Sequence, residues 1–277
     1  MRKILLPIDP SAYTQTALAY AALFAEPEKS VIEGTAIIDV LDVVEHAATF
    51  LPLPQGLDSH KEQEDKLLEH VRQKVNKELQ NFENFCHEKK LNCTLKTYEG
   101  RPDYVIEKES LYSDLVIIGM RNFFHFERED KPETSLKQIL GHTISPILAV
   151  TRNFKPIRKV LITYDGSMPS MRAIQRFAYM MRNTKYEAII LTKSKNEQSA
   201  LANSEKAEKY LTQYGIEKLS RKWTQQSLIK TFEEEYLNQV DIIICGIHSQ
   251  NFIKSFFVGS FTKYLIDLNQ VPVFIGQ

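Results

Sequence analysis

Arg2-Lys-Ile-Leu-Leu-Pro-Ile-Asp-Pro-Ser11 returns, without a gap, as Arg158-Lys-Val-Leu-Ile-Thr-Tyr-Asp-Gly-Ser167. Arg, Lys, Leu, Asp and Ser are identical, Ile/Val and Leu/Ile are conservative exchanges, and Ala17 falls on Ala173 at the same offset of 156. Asp114-Leu-Val-Ile-Ile-Gly119 matches Asp241-Ile-Ile-Ile-Cys-Gly246 at an offset of 127, and the Pro146 strand matches the Pro272 strand at 126. Order is kept throughout, which marks an internal duplication. The fall in offset means that the second copy lacks about 29 residues, mostly around its second strand and the helix after it. The join lies near Thr151–Pro156, giving domains over 1–152 and 157–277.

Each copy alternates short apolar runs with helical periodicity. In the first, Ile4–Ile8 reads as a buried strand, followed by a helix to about Ala25 with Ser11 and Thr14 as candidate caps. Ile32–Val43 contains the next strand, and His46–Ser59 is a proline-bearing loop. Asp58–Lys90 is a long helix with Leu67, Leu68, Val71, Val75, Leu79, Phe82 and Phe85 on one stripe. That stripe is expected to pack on its own sheet rather than form a coiled coil. Strand Cys93–Tyr98, helix Asp103–Ser110, strand Leu115–Gly119, helix Ser135–Gly141 and strand Ile147–Val150 complete the copy. The second copy reads Lys159–Tyr164, helix Ser170–Arg182, Ala188–Thr192, helix Ser204–Tyr214, Lys218–Trp223, helix Gln226–Asn238, Ile242–Gly246, helix Ser260–Asp267 and Val273–Gly276. Strands alternating with helices predict an α/β fold of two tandem doubly wound parallel sheets. Ligands of such sheets bind off the carboxyl ends of the strands, where Asp9, Asp165, Gly119 and Gly246 fall.

Composition narrows the function. The 277 residues carry 35 Lys+Arg and 35 Asp+Glu, with 43% hydrophobic and 25% charged residues. A balanced charge argues against bulk capture of nucleic acid or an anionic membrane. No apolar run is long enough to span a bilayer, and the N-terminus reads as a strand rather than a secretory signal. Cys86, Cys93 and Cys245 make an odd number without a CxxC. Cys86 and Cys93 are close enough in sequence to pair across a short loop, but buried reduced thiols in a cytoplasmic protein are the expectation. The seven histidines show no metal-ligand spacing, so no metal site is expected.

The sharpest constellation is in the second copy. Gly246-Ile-His-Ser249 is followed by nine residues and then Gly259-Ser260, which opens a helix. Small residues let backbone N–H groups approach an anion, and the positive end of the helix favours phosphate. Ser260 is the candidate cap, with a hydroxyl for a phosphate oxygen. Asp165 is placed for a ribose or an adenine amino group. The bland reading of these glycines is turn geometry, and of Asp9 and Asp165 turn formation and capping. In the first copy Asn122 stands at the second small position, the loop is one residue longer, and Glu133-Thr134 falls where Gly259-Ser260 sits. A glutamate at the cradle adds negative charge and a Cβ, so this site reads as degenerate.

On these motifs the chain resembles the universal stress protein family in its tandem form. The family's nucleotide-binding members carry Gly, two residues, Gly, nine residues, then Gly and Ser or Thr. Gly246, Ser249, Gly259 and Ser260 match that register with Ser for the second Gly. Asp165 within Tyr164-Asp-Gly-Ser167 matches the family's Asp after the first strand, and Glu99-Gly-Arg-Pro-Asp103 its turn before the third helix. The resemblance implies flavodoxin-like (adenine nucleotide alpha hydrolase-like) sandwich domains, paired through their last strands as an internal pseudo-dimer, with association of two chains as a homodimer left open. It further implies binding of ATP or another adenine nucleotide, with magnesium as counter-ion, and a regulatory role in stress without catalysis. An enzyme on the same fold is the rival reading, but neither an SGGxD-like loop nor an HxGH pair is present. A scaffold that acts through protein contacts is the other.

Overall fold

A computed structural model describes residues 2–26, 28–50, 57–121, 124, 126, 135–247 and 259–276. The chain divides into two compact units, Met1–Ile139 and Leu140–Gln277. In the first, β1 (Lys3–Ile8) leads through α1 (Ala12–Phe24) to β2 (Val31–Ile38). Then follow α2 (Val40–Phe50), α3 (Leu57–Glu88), β3 (Asn92–Glu99), α4 (Pro102–Ser110), β4 (Leu115–Gly119) and α5 (Ser135–Leu140). Its strands run β3-β2-β1-β4, with β1 parallel to both β2 and β4, and β2 parallel to β3. Reversal of strand order at β1/β4 creates the crevice off their carboxyl ends. β1 and β4 are buried almost throughout because helices cover both faces of a parallel sheet.

The second unit begins with β5 (Ile147–Val150), the last strand of the first copy. It continues with β6 (Lys159–Thr163), α6 (Met168–Met180), β7 (Glu187–Lys193), α7 (Glu197–Thr212) and β8 (Leu219–Thr224). α8 (Leu228–Thr231), β9 (Ile242–Gly246), α9 (Ser260–Leu268) and β10 (Val273–Gly276) complete it. The strand order is β5-β10-β9-β6-β7-β8, all neighbours parallel except β5 against β10. Thus the last strands of the two copies meet antiparallel inside this unit.

The repeated residues do the same work in both copies. Asp114 Oδ2 accepts from the N–H groups of Arg2 and Lys3, at 2.6 and 3.0 Å. Asp241 Oδ2 accepts from those of Arg158 and Lys159, at 2.9 and 2.8 Å. Each acid ties the start of its copy's first strand, β1 or β6, to the neighbouring one. Ser11 and Ser167 cap α1 and α6, accepting from Tyr13 N and Ser170 N.

Four features differ from the sequence reading. The segment assigned to a strand end and a loop is helix α2: Asp39 stops β2 and starts the helix by accepting from Asp42 N and Val43 N. Val40 and Val43 then pack with α3 residues Val71 and Val75, joining the cluster that β2 residues Ala36 and Ile38 form with them. α7 begins at Glu197 because Asn196 accepts from Ser199 N. The predicted helix Gln226–Asn238 ends its α-helical part at Thr231 and widens into a π-helical turn, Phe232–Tyr236, closed by Leu237 N donating to Phe232 O. Finally, Cys86 and Cys93 are joined in a disulfide, with Cα atoms 6.4 Å apart, while Cys245 is free and buried. The helix stripe Val71, Val75, Phe82, Cys86 turns Cys86 onto the sheet, and the tight turn after α3 brings Cys93 beneath it. Gly34 of β2 makes that close approach feasible: a Cβ there would lie 2.8 Å from the Phe82 ring.

Candidate functional site

In the second unit, β6 and β9 lie side by side with Val160, Leu161 and Ile162 against Ile242, Ile243 and Ile244. Asp165 and Gly246 therefore emerge together at the carboxyl ends of adjacent strands. α9 crosses back to β10, a parallel neighbour of β9, so its N-terminus lies at that same end. Buried Thr262, in the first turn of α9, lies close enough to Cys245, the residue before Gly246, to favour its thiolate. Thr163 Oγ1 lies 3.4 Å from the same sulfur and 3.1 Å from Ile244 O. Thr163 thus ties β6 to the end of β9, while Thr262 places the first turn of α9 beside the same sulfur. Burial pushes the Cys245 thiol up to about 11, against the pull of the two threonines, so it stays protonated at neutral pH and is no nucleophile.

The start of α9 differs from the expectation for Ser260. Gly259 is the N-cap, with no side-chain cap bond, and Ser260 is the first helical residue. The first helical bond runs from Lys263 N to Gly259 O. The cap position thus offers no side-chain acceptor to the N–H groups of the opening turn, which is the arrangement an anion can complete. Gly259 has ordinary φ, and no atom of the described residues lies within 4 Å of a hypothetical Cβ. Gly246 has a different reason to be glycine. A Cβ there would meet the Pro169 carbonyl carbon and Ser170 N at 2.5 Å, so its smallness serves the approach of α6 to β9. Ser249 lies outside the described residues.

Asp165 is exposed, and its Oδ1 accepts from Ser167 N at 2.9 Å, making the turn that delivers Ser167 as the α6 cap. The turn-forming role is therefore real in this copy and leaves the carboxylate at the surface. Beside it, burial and the charge of Asp165 raise the Tyr164 phenol.

The first unit treats its equivalent residue otherwise. Asp9 is 3% exposed, and its Oδ1 takes Ser11 N at 3.1 Å, Ser11 Oγ at 2.6 Å and Thr14 Oγ1 at 2.9 Å. The carboxylate is spent on its own turn. Phe126 is buried among Ala36, Ile38, Val43, Val71 and Val75, and Lys74 Nζ donates to its carbonyl at 2.8 Å. An aromatic ring of the chain itself thus fills space at the carboxyl end of β2. Asn122 and Glu133-Thr134 lie outside the described residues. Nothing in the sequence marks Thr163 or Thr262; each looks like an ordinary strand or helix threonine until the fold brings both beside Cys245.

No protein-family model matches the chain. A universal stress protein of Synechocystis sp. is 23% identical over 286 residues, covering 99% of both chains. The crystal structure of a universal stress protein from Archaeoglobus fulgidus superposes with a TM-score of 0.69 at 18% identity, over 99% of this chain and 98% of that one. A putative universal stress protein from Pseudomonas aeruginosa gives 0.57 at 11% identity, over 100% of this chain and 93% of that one. Along its whole length the chain is similar in sequence to one universal stress protein, and it shares the fold of others.

Proposed function

We propose that this tandem universal stress protein-like chain is a regulatory protein of the stress response that binds ATP or a related adenine nucleotide in its second unit. The observation that carries the reading is the opening of α9, whose cap residue Gly259 brings no side-chain acceptor, with Thr262 beside Cys245 at the end of β9 and exposed Asp165 at the end of the adjacent strand. N–H groups of the opening turn, with the Ser260 hydroxyl, would take phosphate oxygens. Asp165 would accept from ribose hydroxyls or the adenine amino group, and magnesium would accompany the phosphates as their counter-ion. Such a site uses backbone dipoles rather than a cluster of cations, which suits a chain without a basic excess.

The reading assigns no catalytic residue. Cys245, the thiol nearest the site, is buried and protonated, so at most slow hydrolysis of a bound nucleotide is expected. Calorimetric titration with ATP and AMP tests the proposal. One site per chain is the expected stoichiometry, and no heat at millimolar nucleotide would exclude it. A scaffold reading is favoured for the first unit alone, where Asp9 is engaged internally and Phe126 fills the neighbouring space.

A further inference from the structure

The disulfide sits where the first sheet ends. β3 terminates the strand order, and on its α3-facing side Cys93, Leu95 and Thr97 lie in register with Ile32, Gly34 and Ala36. Leu95 and Thr97 are exposed; Cys93 alone of the three is half-buried. Its partner Cys86 is the last member of the α3 stripe that covers β2, and is 3% exposed. Between them the helix closes with Lys90 in the left-handed region, φ 54°, Lys90 N donating to His87 O and Leu91 N to Cys86 O. On the opposite face Lys96 reaches across to Glu33 and Glu109, at 3.1 and 3.0 Å. Apart from its backbone ladder, β3 is therefore held towards α3 by the sulfur bridge and by an exposed ion pair, Arg72 to Glu99 at 3.1 Å, and on the other face by Lys96.

We propose that Cys86–Cys93 is a reversible redox clasp on this edge strand. The cysteines are only seven apart, so the bond closes a short loop and constrains the unfolded chain less than a long-range bridge does. Its main effect is local, on how firmly β3 stays against α3. Cys93 is the approachable sulfur. A dithiol's thiolate attacks Cys93 Sγ, the S–S bond breaks, and its electron pair leaves on Cys86 Sγ, which takes a proton from solvent. The dithiol's second thiolate then attacks its own sulfur in the mixed disulfide. Cys93 leaves as a thiolate, is protonated, and the dithiol departs as a cyclic disulfide. The protein gains two electrons and two protons, and the dithiol loses them. Cys86, buried at the end of α3, stays beside the mixed disulfide and is placed to reverse a single exchange. Opening therefore calls for a dithiol rather than a monothiol.

Alkylation of the native full-length chain followed by peptide mass spectrometry, with and without dithiothreitol, tests the clasp. Without reductant no cysteine should label; with it Cys86 and Cys93 should label while buried Cys245 does not. Amide exchange measured in parallel should rise about tenfold or more over 92–99 on reduction and return on re-oxidation, with the second unit unchanged. The Cys86→Ser/Cys93→Ser variant should show the fast rate at once and ignore dithiothreitol. Free Cys86 and Cys93 in the unreduced protein, opening only with global unfolding, or unchanged exchange over 92–99 after reduction would each overturn the proposal.

Discussion

Two glycines of the same motif answer to different forces. A Cβ at Gly246 would come within 2.5 Å of α6 backbone, which cannot swing aside as a side chain can. Gly246→Ala should cost about 1–3 kcal/mol, read as a lower melting temperature whether or not nucleotide is present. Gly259→Ala meets no atom of the described residues and sits at ordinary φ, so its cost should stay below about 1 kcal/mol. Equal melting temperatures for the two variants would contradict this division. The two aspartates divide likewise. Asp9→Ala strips a buried carboxylate from Ser11 and Thr14 and should cost about 1–3 kcal/mol. Asp165→Ala removes an exposed group and should cost no more than about 1 kcal/mol while weakening nucleotide binding. Denaturant titrations of both variants decide the order.

Among elements, α9 and β3 make the sharpest predictions. An acid at a helix start stabilises the helix by about 0.3–1 kcal/mol, yet it repels a phosphate in the same place. Gly259→Asp should therefore hold or raise the melting temperature while lowering ATP affinity about tenfold or more, measured by calorimetry. A fall in both, or in neither, would point away from a phosphate at that end. Beside β3, on α4, burial lifts the Glu109 carboxyl, but hydrogen bonds from Lys96 and Tyr98 and the charges of Lys96 and Lys3 outweigh it and hold the group below its ordinary 4.5. The folded chain then binds fewer protons than the unfolded one in this range, so the network's contribution is present above the ordinary value and lost as pH falls through the depressed one. Lys96→Met should move the Glu109 midpoint upward in an NMR titration; an unmoved midpoint would assign the depression elsewhere. Periodicity made most of these elements legible, because apolar runs and helical stripes follow directly from burial. It passed over α2, since a cap at Asp39 converts a strand's continuation into a helix without changing the apolar count. It also passed over the disulfide, because pairing Cys86 with Cys93 requires placing a helix stripe and a strand face together. Ser260 was read as the cap because sequence alone does not show which of two adjacent small residues keeps non-helical backbone angles.

Over the whole molecule, a duplication has produced two units with one strand logic and different uses of the same positions. The acid after the first strand is buried and internally bonded in one and exposed in the other. Where the first unit inserts α2, the second turns directly from β7 into α7, with Trp223 Nε1 donating to Ser194 O at 2.9 Å across that turn. That inequality was visible in the falling offset between repeats; the filling of the first unit by Phe126 was not, because it depends on where a long loop returns. A ligand that binds one folded unit stabilises it by about 2.7 kcal/mol at a hundredfold excess over its dissociation constant. The most direct test is amide hydrogen exchange of the native chain with and without saturating ATP. Binding in the second unit predicts slower exchange over 163–170, 244–247 and 260–263, with 8–14 in the first unit unchanged. Protection confined to the first unit, or none in either, would contradict it.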